Sequence, residues 1–288
     1  MRTKRQRQNG FILYAVSWML LLITALIVSG SLLLQKERNL FLALKQQLID
    51  EVELESNVEV LKFFLMNPQK PLFWNIHGDF FDAELSGQPF VLKVQPEDGK
   101  LDINFADAKL LQSYFEFVLT DTELANVLTA QILDWRDSDD MSSPEGAEKN
   151  EYLAQKRINL PSNTLFRSID ELRYILNMND EILQKIRPWL TVYSKKSTID
   201  TSFASSYMLS MLEYHNQKQS IENQPIAQEL QKREQAAYNR AKYLKDGSLL
   251  TLSSIIKQDK GKPLTLNVLV QNNGLVNQKL PIIEWNYQ

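Results

Sequence analysis

The residues best suited to chemistry lie in one stretch: Asp134, Asp137, Asp139, Asp140, Glu145 and Glu148, with Pro144 and Gly146 marking a loop among them. Calcium takes roughly six to eight oxygens from carboxylates, carbonyls and water, and a flexible acidic loop supplies them. Counting Asp137 as the first position of an EF-hand puts Asp139 third, Glu145 ninth and Glu148 twelfth. Met141 at the fifth position and Ser142 at the glycine position break that pattern. The spacing therefore reads as a calcium loop of another kind, against the alternative of a solvated acidic turn.

Catalytic patterns are poor. The histidines are His77 and His215, there is no cysteine, and no serine sits in a nucleophile elbow. Ser254 and Lys257 have the spacing of some acyl-transfer enzymes, but they fall in an expected strand, where they point to different faces. His77 beside Gly78 reads as a loop residue, and Trp135 and Trp189 as core anchors. The chain is expected not to be an enzyme.

The elements that carry the acidic loop begin at the N-terminus. Arg2, Lys4, Arg5 and Arg7 precede Gly10, and residues 11–34 then run without a charge. As a helix that run spans roughly 36 Å, enough to cross a bilayer, and the basic tail stays cytoplasmic. Everything after Leu34 is then expected outside the cytoplasm. An ordinary secretory signal has a short apolar core before its cut site, whereas here the one plausible cut, after Gly10, precedes the core. That order is similar to type IV prepilin signals, cut on the cytoplasmic face to leave Phe11 as a new apolar N-terminus. An uncleaved single-pass anchor is the alternative.

The chain of 288 residues carries 35 acidic against 32 basic side chains, a net charge of −3. Loss of residues 1–10 removes four cations and no anions, moving it to −7. Such a balance does not favour phosphate backbones. Without cysteine, an exported domain must rely on packing or bound ions.

Phe41, Leu44, Leu48, Val52, Leu61 and Leu65 continue a helical period, which Asn67-Pro68 should end. A helix over 11–66 would be roughly 84 Å long and resembles the spine of a pilin. Residues 79–85 and 89–94 alternate around a Ser86-Gly87 turn and predict a hairpin. Further strands are expected over 249–256, 264–270 and 280–285, separated at 259–261 and 272–274. The middle reads as helical. It contains an internal echo, Leu101-Asp102-Ile103-Asn104-Phe105-Ala106 recurring 98 residues on as Ile199-Asp200-Thr201-Ser202-Phe203-Ala204, which suggests a two-lobed helical insert. Ser168 and Glu171 form a capping box that predicts a helix over 168–176. With a second helix over 180–187 it makes a helix-hairpin-helix-like pair. Asn177-Met178-Asn179 replaces the glycines that let DNA-binding versions approach phosphate, so a packing role is expected.

In order along the chain, "GKLDINFADAKLL", "ILDWRDSDDMSSPEGAEKNEYL", "SIDELRYILNMNDEILQKIRPWLTVY" and "STIDTSFAS" resemble the minor pseudopilin K family of bacterial type II secretion. The resemblance implies an α+β fold: a pilin-like long N-terminal helix packed on a small antiparallel sheet, interrupted by a large inserted all-α domain of SAM or helix-hairpin-helix type. It implies a cytoplasmic prepilin leader (1–10), a transmembrane part of the helix (11–34), its periplasmic part (35–66), a first sheet portion (67–104), a two-lobed insert (105–245) and a C-terminal sheet portion (246–288). It also implies structural calcium, with Asp137, Asp139, Asp140 and Glu148 as ligands and Asp134 and Glu145 as further candidates. The place implied is the tip of the periplasmic pseudopilus, in a bacterial inner membrane, with most of the chain in the periplasm. The partners implied are the I and J minor pseudopilins, the major pseudopilin, prepilin peptidase and the inner-membrane secretion platform, with no nucleic acid.

Two departures matter. Relatives show asparagine-threonine-alanine at both echo turns, where this chain has Asn104-Phe105-Ala106 and Ser202-Phe203-Ala204. Most pilins carry glutamate five residues after the cut, where this chain has Ala15. A carboxylate in lipid is costly without a partner, so a subunit with nothing ahead of it gains by lacking one; the plain reading is that alanine suits a membrane. The rival function is a membrane-anchored helix-hairpin-helix DNA receptor, which the acidic balance disfavours.

Overall fold

The computed structural model describes residues 8–66, 76–85, 88–219, 248–256, 263–271 and 282–287. The chain divides into two units, Met1–Glu53 and Leu54–Gln288. The expected stop at Asn67-Pro68, the turn at Ser86-Gly87 and the separators at 259–261 and 272–274 lie outside the described residues.

In the first unit the described structure is helical, part of α1 (Gln8–Met66). Its apolar side chains from Phe11 to Leu34 are exposed, and an 18-residue window reaches a mean hydropathy of 2.5. By length and composition this helix can cross a membrane. Lipid offers no hydrogen bonds, so polar groups must be satisfied internally. The hydroxyls of Ser17, Thr24, Ser29 and Ser31 do so by donating to carbonyls three or four residues back.

The second unit holds the strands β1 (Phe80–Leu85), β2 (Gln88–Pro96), the short β3 (Leu101–Asp102) and β4 (Leu190–Thr191), then β5 (Leu249–Ile256), β6 (Leu264–Gln271) and β7 (Ile282–Tyr287). The main sheet runs β1-β2-β5-β6-β7, antiparallel throughout, while β3 and β4 pair in parallel. Leu54, Val58 and Leu61 of α1 follow the helical period and are fully buried. They meet Phe90, Leu92 and Val94 of β2, Leu250 and Leu252 of β5, and Leu266, Val268 and Val270 of β6. Alternate residues of each strand thus face the helix. Burial of each such aliphatic side chain contributes about 1.5–3 kcal/mol. Asn57, also buried on this face, donates to Ser254 Oγ at 3.2 Å.

Between β2 and β5 the chain builds a helical region with its own core: α2 (Ala108–Leu119), α3 (Thr122–Arg136), α4 (Lys149–Ala154), α5 (Asp180–Ile186) and α6 (Ser206–Lys218). Side-chain caps start most of these helices. Asp107, Asp121, Asn179 and Ser205 accept from the amides of Leu110, Leu124, Ile182 and Met208.

The two echo segments adopt the same local turn. Asp102 accepts from the Asn104 amide through its carboxylate and from the Ala106 amide through its carbonyl; Asp200 does the same for Ser202 and Ala204. Phe105 and Phe203 stand at matching positions, and the turn forms in both places, because its bonds involve the aspartate and the backbone.

The expected helix over 168–176 is instead a 3-10 segment, Ile169–Tyr174. Ser168 Oγ accepts from Asp170 rather than from Glu171, and Glu171 accepts from the Arg167 amide, so the capping box is not closed. Ile175 turns extended (φ −60°, ψ 137°), which lets Leu172, Ile175 and Leu176 all enter the core.

Candidate metal centre

The last turn of α3 carries Asp134, Trp135 and Arg136, each held differently. Trp135 is buried and lies parallel to Phe166, ring centroids 6.0 Å apart. Arg136 donates to the carbonyls of Ile103 and Ala106, fastening this helix end to the first echo turn. With its neighbours anchored on both sides, the buried Asp134 carboxylate is fixed toward the loop that follows.

That loop returns over Asp134. The Ser143 amide and hydroxyl donate to its two oxygens at 3.1 and 2.7 Å. Gly146 must be glycine here, because a Cβ would stand 2.0 Å from Asp134 Oδ2. Asn163, in left-handed geometry (φ 49°), ties the outer part of the loop by donating to the Asp139 carbonyl at 2.8 Å and the Asp140 carboxylate at 3.0 Å.

Glu148 then opens α4, its amide donating to Glu151 Oε2 at 2.9 Å. Its side chain is 2% exposed, and neither carboxylate oxygen has a hydrogen-bond partner among the described residues. Burial first, then the charges of Asp134, Asp137, Asp140 and Asp139, push its pKa up to about 7. Asp137 is also raised, by burial and then by Asp139.

One oxygen each from Asp134, Asp137 and Glu148 lie within 4.8 Å of one another. Oxygens on opposite sides of a calcium ion are separated by about twice its ~2.4 Å bond length. The three carboxylates can therefore share one ion, and the unpartnered Glu148 oxygens are the feature a cation satisfies. Asp134 thus joins Asp137 and Glu148 in the trio. Asp139 and Asp140 lie outside it: the Asp139 carboxylate accepts from the Met141 amide, and Asp140 accepts from Asn163. Glu145 is exposed in left-handed geometry, outside the trio as well. The sequence marks Gly146 only as a loop residue and gives no signal for Ser143 or Asn163.

Residues 97–195 match the family model described as Type II secretion system (T2SS), protein K. This segment, about a third of the chain, is similar to that family. It contains the whole acidic loop, along with α2 to α5. The fold as a whole is similar to a chain in the crystal structure of the GspK–GspI–GspJ complex from the enterotoxigenic Escherichia coli type 2 secretion system. That likeness has a TM-score of 0.51 and 16% identity, covering 85% of this chain and 96% of the other. No curated protein sequence matches the chain.

The other candidate positions lie on α1. Phe11 and Ala15 are exposed in its apolar run, and Gly10 is in its first helical turns. His215 Nδ1 lies 2.9 Å from Ser113 Oγ.

Proposed function

We propose that this chain is a structural minor pseudopilin of type II secretion, working at the tip of a periplasmic pseudopilus with I-like and J-like minor pseudopilins. The observation that carries the reading is the protein K match over 97–195, in a chain whose N-terminal helix can cross a membrane. The likeness to a chain of the GspK–GspI–GspJ crystal structure supports the choice of partners.

In this reading residues 1–10 are a leader that prepilin peptidase removes after Gly10. Residues 11–34 are the span, leaving the inner membrane to bundle with other subunits, and 105–245 form the insert. Ala15 leaves no carboxylate to seek a neighbour's N-terminus, as suits a leading subunit. The 3-10 segment and α5 serve packing rather than nucleic-acid binding. Calcium is structural: Asp134, Asp137 and Glu148 are its inner ligands and Asp139 and Asp140 stand next in line, so that the ion ties the end of α3 to the start of α4.

Mass spectrometry of the chain from its native membrane tests the leader, and a secretion assay with Gly10 replaced by aspartate tests its use. The reading expects a mature N-terminus at Phe11 and lost secretion in the variant. An intact Met1, or normal secretion by an uncleaved variant, overturns it.

A further inference from the structure

The main sheet has two faces, and the one turned away from α1 carries a polar row between apolar neighbours such as Ile255 and Leu269. The strand register lines up Lys93 of β2, Ser253 of β5, Asn267 of β6 and Asn286 of β7 in one row. A sheet face covered by a second layer is ordinarily aliphatic. This row instead lines a cavity of about 290 Å³, whose opposite wall includes Arg187, Pro188 and Tyr193 of the helical region. That volume approaches the roughly 300 Å³ at which small-molecule sites begin.

Lys93 is the unusual member. It is 5% exposed, with Nζ 4.7 Å from the Trp189 ring centroid and 5.3 Å from that of Phe80. Among the described residues its ammonium makes no hydrogen bond. Aromatic faces attract an ammonium but leave its three donors unused. A buried charge without a hydrogen-bonded counter-ion is costly, and burial, then repulsion from Lys100, lowers its pKa to about 7.

The neighbouring charges are committed elsewhere. Lys100 pairs with Glu97 at 2.6 Å, Arg187 with Asp170 at 2.9 Å, and Glu284 accepts from the Tyr193 hydroxyl at 2.8 Å. Asn267 Oδ1 accepts from Ser253 Oγ at 2.6 Å, so its NH2 group is the donor it offers the cavity.

We propose that this cavity binds a carboxylate, held by the Lys93 ammonium and the Asn267 amide beside the ring of Phe80. A monoanion suits it better than a phosphate dianion, because Glu97 and Glu284 line the same cavity and repel a second negative charge. The carboxylate can come from a small organic acid or from the C-terminus of a peptide. The site stands apart from the acidic loop and does not depend on the secretion reading.

Calorimetry and thermal melts on the full-length chain in neutral detergent test this, with sodium benzoate, inorganic phosphate, and a tripeptide carrying a free or an amidated C-terminus. The expected result is saturable benzoate binding that weakens at least about tenfold in Lys93→Met, consistent with loss of a charge-assisted hydrogen bond. Tighter binding by the free tripeptide, with none by its amide, assigns a chain end; benzoate binding without tripeptide binding assigns a small acid. Phosphate binding more tightly than benzoate, no saturable carboxylate binding, or unchanged binding in Lys93→Met overturns the proposal. Should Lys93→Met not fold, Asn267→Asp, which adds a repelling carboxylate, must weaken benzoate equally; unchanged binding there also overturns it.

Discussion

Asp134 and Glu148 bring carboxylate oxygens within 4.8 Å of each other, yet only one of the two is satisfied by the protein. Ser143 donates twice to Asp134, whereas both oxygens of the buried Glu148 lack a partner among the described residues. That asymmetry makes Glu148 the group with most to gain from a cation, although it lies farthest along the chain from the start of the acidic run.

Calcium should therefore stabilise the protein through Glu148. At a hundredfold excess over its dissociation constant it should add about 2.7 kcal/mol. In Glu148→Gln the calcium-dependent rise in Tm should largely vanish, while the calcium-free Tm equals or exceeds the parent's, because a buried unpaired carboxylate is gone. Asp139→Asn should retain more of the rise than Asp137→Asn. Differential scanning calorimetry with and without chelator reads all three.

The same group sets a pH dependence. Glu148 titrates near 7 in the folded chain against 4.5 as its ordinary value, so the folded state holds the proton longer. Its stabilising effect is complete below about pH 4.5 and is lost as pH rises toward 7. Calcium-free melts should therefore fall across that window less steeply in Glu148→Gln, and calcium affinity should rise over the same range.

Lys93 works in the opposite sense. Its folded pKa near 7 lies below the ordinary 10.5, so the unfolded chain binds more protons between those values. Stability from this group should rise as pH increases from 7 toward 10.5. Lys93→Met should remove that rise, which urea titrations at pH 7 and pH 9.5 can measure.

Gly146→Ala places a methyl group 2.0 Å from Asp134 Oδ2 and 2.5 Å from Ser143 Oγ. Overpacking of this kind costs about 1–3 kcal/mol. Chemical denaturation should show that loss, and calorimetry should show weaker calcium binding, because the loop can no longer close over Asp134.

The echo turns should differ in worth despite their common geometry. Asp102 is 2% exposed and accepts from Asn104, Ser194 and Lys195, while Asp200 is half-buried and its carboxylate bonds the Ser202 amide. Asp102→Ala leaves the buried Asn104 amide unsatisfied at about 1–3 kcal/mol and removes two part-buried bonds, so it should destabilise more than Asp200→Ala in the same urea titration.

Periodicity makes the long helix and the main-sheet strands legible, although the last runs Ile282–Tyr287 rather than 280–285 and the short β3 and β4 leave no alternation to read. Residues 249–256 were placed to the residue, because alternation and flanking turn residues act locally. The short 3-10 segment was not, since its form is set by where Leu172, Ile175 and Leu176 meet the core rather than by its own capping residues. In the acidic loop, spacing marks the cluster, and the family resemblance puts Asp139 and Asp140 ahead of Asp134, which the geometry brings into the trio instead. What promotes Asp134 is the anchoring of Trp135 and Arg136 on either side of it, a tertiary effect with no signature in the run of carboxylates.

Pro96 and Leu250 are register partners on adjacent strands, although the entire helical region separates them in sequence. Entry to and exit from that region are consequently neighbours, and the entropy of closing such an excursion grows only with the logarithm of its length. The sheet is thus nearly indifferent to the size of what is hung between these two strands. A head of different bulk could be grafted there, or the existing one pared down, without re-threading the scaffold below.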